Sequence, residues 1–141
     1  MIAIDTNLLL YAFQPAVPMH VAARRAIEAA AASRLGWGIT IVNVAEFWSV
    51  ATRGGDGAAQ AKPVEAEAYL GGLRAAGAGM WQPGRDFGER LVATARQMQI
   101  TGRRIFDLQI GLMALDNGAT ELWSQDRAFI APPRLRLVHP F

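Results

Sequence analysis

Cysteine is absent from this 141-residue chain, which excludes a disulfide scaffold, a thiol nucleophile and cysteine-ligated zinc. Histidine is nearly absent: the two present, His20 and His139, have no metal-ligand spacing and are read as structural or solvent-exposed. No run of about 18 uninterrupted apolar residues occurs, and no basic region precedes the apolar start, so neither a membrane span nor a secretory signal is expected. Charged residues are few, at 18% against 52% hydrophobic, which excludes a disordered chain. The length suits one domain, residues 1–141, able to bury a core without staples. The expectation is a soluble, cytoplasmic protein.

What is present starts with Met1-Ile2-Ala3-Ile4-Asp5-Thr6-Asn7. Four apolar residues running into an acid predict a short buried strand that ends in a carboxylate. In open α/β sheets the central strands are apolar throughout and ligands bind beyond their carboxyl ends, so Asp5 stands where such folds keep their chemistry. Helices are predicted over Thr6 to Phe13, Met19 to Leu35, Val42 to Thr52, Pro63 to about Ala76, Asp86 to about Met98, and Arg103 to Asp116. Strands are predicted over Trp37 to Ile41, Ala78 to Gln82, Glu121 to Ser124, and Leu135 to Val138. The last alternates Arg134, Leu135, Arg136, Leu137, the pattern of a half-exposed edge. Arg53 to Ala61, with Gly54, Gly55 and Gly57, reads as a flexible surface loop. Asp86 reads as a capping carboxylate, and Trp48, Trp81 and Trp123 as core. The fold class is α/β: a doubly wound parallel sheet of four to five strands flanked by helices.

Alternating strands and helices with right-handed crossovers put like strand ends on one rim. Four acids are expected there. Asp5 ends the first strand, Glu46 is the only charge inside its apolar helix, Asp107 lies near a helix start, and Asp126 follows the fourth strand. Carboxylates crowded together take up protons unless cations neutralise them. Oxygen-only ligands point to Mg²⁺ or Mn²⁺. Asp116 and Glu121 are assigned to surface roles.

The charge balance fits this picture. The net charge is +2, from 14 basic and 12 acidic residues, and every basic residue except Lys62 is arginine. With the four acids set aside, eight acidic residues face 14 basic ones, and an acidic pocket in a basic surface suits a polyanion held around metal. Arg103 and Arg104 stand at the positive end of a helix, where cations are disfavoured. Either pairs with Asp107 one turn on or contacts phosphates of the polyanion; Arg85 and Arg127 are further phosphate candidates.

The chain resembles the PIN-domain ribonucleases, and within them the VapC toxins of toxin–antitoxin pairs. The resemblance rests on Ile2-Ala3-Ile4-Asp5-Thr6-Asn7, Asn43-Val44-Ala45-Glu46-Phe47, Phe106-Asp107-Leu108-Gln109-Ile110, and Leu122-Trp123-Ser124-Gln125-Asp126-Arg127-Ala128-Phe129. Ser124 stands where the family more often has Thr, Gly111-Leu112 replaces the usual small pair after Asp107, and the central Gly-rich loop is individual to this chain. No carboxylate is lost by these departures. The resemblance implies a PIN-like fold and a metal-dependent endoribonuclease in which Asp5, Glu46, Asp107 and Asp126 bind one or two divalent ions. It implies that Thr6 or Ser124 orients water or a ligand, and it adds a homodimer and a cognate antitoxin. The alternatives are a catalytically silent PIN-like domain that binds RNA or a protein, and a phosphotransfer enzyme working through an acyl-phosphate on Asp5. The second is disfavoured because no second acid lies two residues after Asp5.

Overall fold

Strand β1 (Ile2–Ile4) is the centre of a five-stranded, all-parallel sheet of order β3-β2-β1-β4-β5. The computed structural model describes residues 1–53 and 60–141, so the expected glycine loop around Gly54, Gly55 and Gly57 lies outside the described residues. In chain order the elements are β1, α1 (Thr6–Phe13), α2 (His20–Ala32), β2 (Trp37–Thr40), α3 (Ile41–Arg53), α4 (Pro63–Ala75), β3 (Gly79–Trp81), α5 (Phe87–Gln97), α6 (Arg104–Asp116), β4 (Glu121–Trp123) and β5 (Arg136–Val138). The sheet winds outward from β1 through β2 to β3, then returns to the other side of β1 for β4 and β5. That reversal puts a topological switch point between β1 and β4, where Ile4 pairs with Trp123. A crevice opens at the carboxyl ends of strands at such a point.

Two apolar cores sandwich the sheet, and the strand alternation of β1 feeds both. Ile2 and Ile4 join Leu8, Leu9, Ala23, Ile27, Ile39 and Phe47 on one face, where α1 to α4 pack. Ala3 faces the other way, with Ile110, Ala114, Leu122 and Phe129 under α6. Helix α6 comes close enough to the segment after β4 that a Cβ on Gly111 would lie 2.4 Å from Pro132 Cδ. The packing therefore leaves no room for a side chain at Gly111. Trp81 lies across β2 in the same manner: a Cβ on Gly38 would meet its ring at 2.5 Å.

The expected elements all appear, α1 with the expected bounds and the others with ends shifted by at most three residues. Strand β5 is the predicted edge, with Arg136 exposed and Leu137 and Val138 half-buried. Three details differ. Helix α2 stops at Ala32 because Ser33 turns to extended backbone, and its hydroxyl accepts from the Leu35 amide. Asp86 does precede α5, but its side chain makes no cap hydrogen bond and its φ is +52°, a left-handed conformation that Asp tolerates. Trp81 is buried and Trp123 partly so, whereas Trp48 is 38% exposed on the outward face of α3 and is not core. No described helix is long and apolar enough to cross a membrane.

Candidate active site

Asp5 is the residue that both ends β1 and starts α1. Its Oδ1 accepts from the Thr6 amide at 2.7 Å, so the helix-cap role and the strand-end role belong to one side chain. Its Oδ2 accepts from Ser124 Oγ at 2.6 Å and from Asn7 Nδ2 at 2.9 Å. Ser124, fully buried just after β4, is held in turn by Asn7 at 2.9 Å and by the Asp126 amide at 3.0 Å. The switch point is thus stitched by hydrogen bonds from one side of the crevice to the other. Burial pushes the Asp5 carboxyl up to about 6; the Ser124 and Thr6 hydrogen bonds pull it down, and the negative charges of Glu46 and Asp107 raise it further.

Glu46 reaches the same crevice from α3. Thr6 Oγ1 donates to its Oε2 at 2.6 Å, and Asn43 Nδ2 donates to Thr6 Oγ1 at 3.0 Å. An amide NH₂ only donates, so Thr6 accepts from Asn43 and its single hydroxyl proton goes to Glu46. Asn43 is itself fixed: its Oδ1 accepts from the Thr40 hydroxyl at 2.7 Å and the Thr40 amide at 2.9 Å. Among the described residues, no buried side-chain nitrogen or oxygen is left without a partner. This Thr40–Asn43–Thr6–Glu46 chain fixes the direction from which Glu46 receives its hydrogen bond.

Asp107 and Asp126 complete the group. One guanidinium nitrogen of Arg104 donates to Asp107 Oδ2 at 2.9 Å and to Asp126 Oδ2 at 3.2 Å. Asp107 also accepts from the Ile130 amide, and Asp126 Oδ1 from the Ala128 amide. The four acids come from four separate segments and line one opening: a cleft of about 590 Å³ holds Asp5, Thr6, Asn7, Glu46, Asp107 and Asp126. It shares Glu46, Arg103, Asp107 and Asp126 with an adjoining cavity of about 620 Å³ that Arg104 and Phe106 also line.

Of the expected site residues, all four acids, Thr6, Arg103 and Arg104 line these clefts, and Ser124 lies beneath them. Arg104 takes the pairing option with Asp107 and extends it to Asp126. Arg85 and Arg127 do not line the clefts. Asp116 is held by both guanidinium nitrogens of Arg90 at 2.8 and 2.7 Å, and Glu121 by Arg136 and the Trp123 indole, which keeps both carboxyls below the usual carboxylate range. Both are ion pairs at the surface, away from the clefts, in keeping with the surface roles expected of them. His20 and His139 each lie against a backbone carbonyl, of Tyr11 and Ser124 respectively, in keeping with structural roles. Asn7 and Asn43 were not among the expected site residues. Their signal is in the sequence: Asn7 stands two positions after Asp5, and Asn43 one turn before Glu46 on the same face.

The donor set suits a hard cation, since it is all carboxylate oxygen and includes an acid whose carboxyl is raised chiefly by burial and further by its acidic neighbours. Among the described residues no three acidic or histidine side chains converge tightly enough to cage an ion as they stand. The Arg104 guanidinium, bonded to two of the four, supplies the positive charge at that place.

Comparison with known proteins bears on the whole chain. The family model described as PIN domain matches residues 2–135. Among solved structures, the chain is similar to one in the crystal structure of VapBC2 from Rickettsia felis bound to a DNA fragment from their promoter. The TM-score is 0.67 with 19% identity, covering 98% of each chain, a likeness that speaks to the fold. No curated protein matches at the same stringency.

Proposed function

The chain belongs to the PIN domain family, and from that premise we propose that residues 1–141 form a metal-dependent endoribonuclease, the toxin of a toxin–antitoxin pair. The observation that carries the reading is the arrival of Asp5, Glu46, Asp107 and Asp126 from four segments at the carboxyl rim beside the β1–β4 switch point. Asp5 and Asp107 would be the principal ligands of Mg²⁺ or Mn²⁺, with Glu46 and Asp126 completing the set for one or two ions. Such an ion supplies an acidified water at neutral pH and neutralises charge developing on the phosphate. The protein's own groups do the positioning. Ser124 and Asn7 hold Asp5, Thr6 and Asn43 hold Glu46, and Arg103 offers a fork for a substrate phosphate. A cognate antitoxin protein that covers the acidic cleft, a homodimer and a cytoplasmic site of action belong to the same reading. The likeness to a VapBC2 chain and the exposed Ile41, Trp48 and Val50 on α3 support a protein partner.

Two measurements test it. Purified protein is expected to cleave RNA with Mg²⁺ or Mn²⁺ and to stop when EDTA is added; RNA binding with no cleavage at any divalent concentration would leave only a silent RNA-binding domain. The second concerns Arg104, which neutralises two of the proposed ligands. Arg104→Gln is expected to tighten Mn²⁺ binding by about fivefold in calorimetry, the scale set by two partly exposed ion pairs. Unchanged or weaker binding in that variant would remove Asp107 and Asp126 from the ligand set.

A further inference from the structure

Phe106 is 50% exposed, although it lies in the first turn of α6, one residue before Asp107. Each of the other phenylalanines lies against identifiable neighbours, although Phe141 is itself 42% exposed. Phe13 and Phe47 pack with Tyr69, Phe87 lies under the Arg90 guanidinium, Phe129 is buried, and Phe141 lines an apolar groove with Trp123 and Val138. Among the described residues no aromatic ring or guanidinium covers Phe106. A half-exposed ring forgoes part of the transfer free energy that full burial returns to a Phe. Its surroundings are charged: it lines the 620 Å³ cavity together with Glu46, Arg103, Arg104, Asp107 and Asp126.

A flat apolar face beside guanidinium groups and a phosphate-cleaving acid cluster has the mixed chemistry of a nucleotide. The ring offers a surface for a base, and Arg103 a fork for a phosphate. We propose that Phe106 is the stacking platform for an unpaired nucleobase next to the cleaved phosphodiester, with Arg103 holding a neighbouring phosphate. The proposal rests on the nuclease reading and deepens it by naming the residues that would hold the nucleotide beside the cleaved bond. A base within a duplex is already stacked on both faces, so only a single strand, a loop or an extruded nucleotide can place one on Phe106. Every base has a π-face, so this platform selects for the unpaired state and not for sequence. The competing use of an exposed Phe is a protein contact. The surrounding carboxylates and guanidinium groups count against it, since interface centres are depleted of charge.

The test uses the full chain carrying Asp5→Asn, so that binding is read without cleavage, with Mn²⁺ present. The probes are a 2-aminopurine-labelled single-stranded oligoribonucleotide and the same strand in a duplex. The single strand is expected to bind with quenching of the 2-aminopurine. Phe106→Leu, which keeps apolar bulk and loses the π-face, is expected to weaken it about tenfold, while Phe106→Trp retains affinity. The duplex is expected to bind weakly to all three. In the chain with Asp5 intact, Phe106→Leu should raise KM for single-stranded RNA and leave kcat within about twofold. Equal single-strand affinity in Phe106→Leu and its parent overturns the proposal, and so does equal affinity for single strand and duplex. A shift of oligomeric state in sedimentation with RNA affinity unchanged assigns the ring to a protein contact and overturns it as well. If the unsubstituted chain neither binds nor cleaves RNA, the nuclease reading itself has failed; cleavage with a KM indifferent to Phe106→Leu removes the platform alone.

Discussion

Asp5→Asn is expected to abolish cleavage and, without metal, to make the protein more stable at pH 7.5. The activity loss follows from removing the most buried of the proposed ligands: about 10³-fold or more in kcat/KM, or roughly 4 kcal/mol of transition-state stabilisation. The stability gain follows from the position of Asp5. Its carboxyl is pushed up to about 6 from an ordinary 3.8, chiefly by burial. Between those values the folded protein holds a proton that the unfolded chain has released. Stability therefore falls as pH rises through that window, and the full cost, on the order of 3 kcal/mol, applies above it. Asn removes the charge but keeps the shape. Its NH₂ group would face the Ser124 hydroxyl and the Asn7 amide, both of which now donate to Asp5 Oδ2, so about 1–2 kcal/mol of hydrogen bonding is lost. The net gain expected at pH 7.5 is about 1–2 kcal/mol, roughly 3–6 °C in Tm. At pH 4, where the native carboxyl is already protonated, the gain should vanish. Saturating Mn²⁺ should reverse the order, because it stabilises the native site and not the variant. Retained cleavage by Asp5→Asn would falsify the site assignment. A variant that melts below the parent in EDTA at pH 7.5 would show that burial of the charge at Asp5 is not a source of strain.

The opposite signs at one residue explain what could be read in advance. An apolar run ending in an acid is a local pattern, and so are the acid in the middle of the apolar helix α3 and the cation at the positive end of α6. Each of those anomalies led to a residue of the cleft: Asp5, Glu46 and Arg104. That the sheet is parallel and doubly wound also follows from local patterns, because alternating strands and helices leave few right-handed topologies; the strand order β3-β2-β1-β4-β5 does not. What the linear pattern did not carry were contacts between distant segments. Thr6 reaches Glu46 and Asn43, and Asn7 reaches Ser124, only once β1, β2 and β4 are side by side. The start of α3 was displaced by one residue for a similar reason. Asn43 Oδ1 accepts from the Thr40 amide and hydroxyl, so the turn into the helix is set by a side chain already in it. Trp48 was expected in the core, where tryptophans more often lie; on α3 the inward place belongs to its neighbour Phe47.

That inward place makes Phe47 the core residue whose loss should reach the site. Its side chain is fully buried, edge-on to Phe13 of α1 at 5.2 Å and stacked on Tyr69 of α4 at 5.1 Å. The Tyr69 hydroxyl donates to the Leu9 carbonyl, so the three rings tie α1, α3 and α4 together. Phe47→Ala leaves a hole at their meeting point and is expected to cost about 3–5 kcal/mol, a fall of roughly 10–15 °C in Tm. Phe47→Leu, which keeps most of the volume, should cost about 1–2 kcal/mol. Glu46 is the preceding residue on α3, and its carboxylate is placed by a 2.6 Å bond from Thr6 on α1. A helix that settles into the cavity moves Glu46 relative to Thr6, and a displacement of about 1 Å in a catalytic group can cost on the order of 10²-fold. Cleavage by Phe47→Ala should therefore fall well beyond its unfolded fraction even at low temperature, where it remains folded by circular dichroism, while Phe47→Leu stays near the parent. If the lost activity of Phe47→Ala matched its unfolded fraction alone, the core and the placement of Glu46 would be independent, and the aromatic trio would serve stability only.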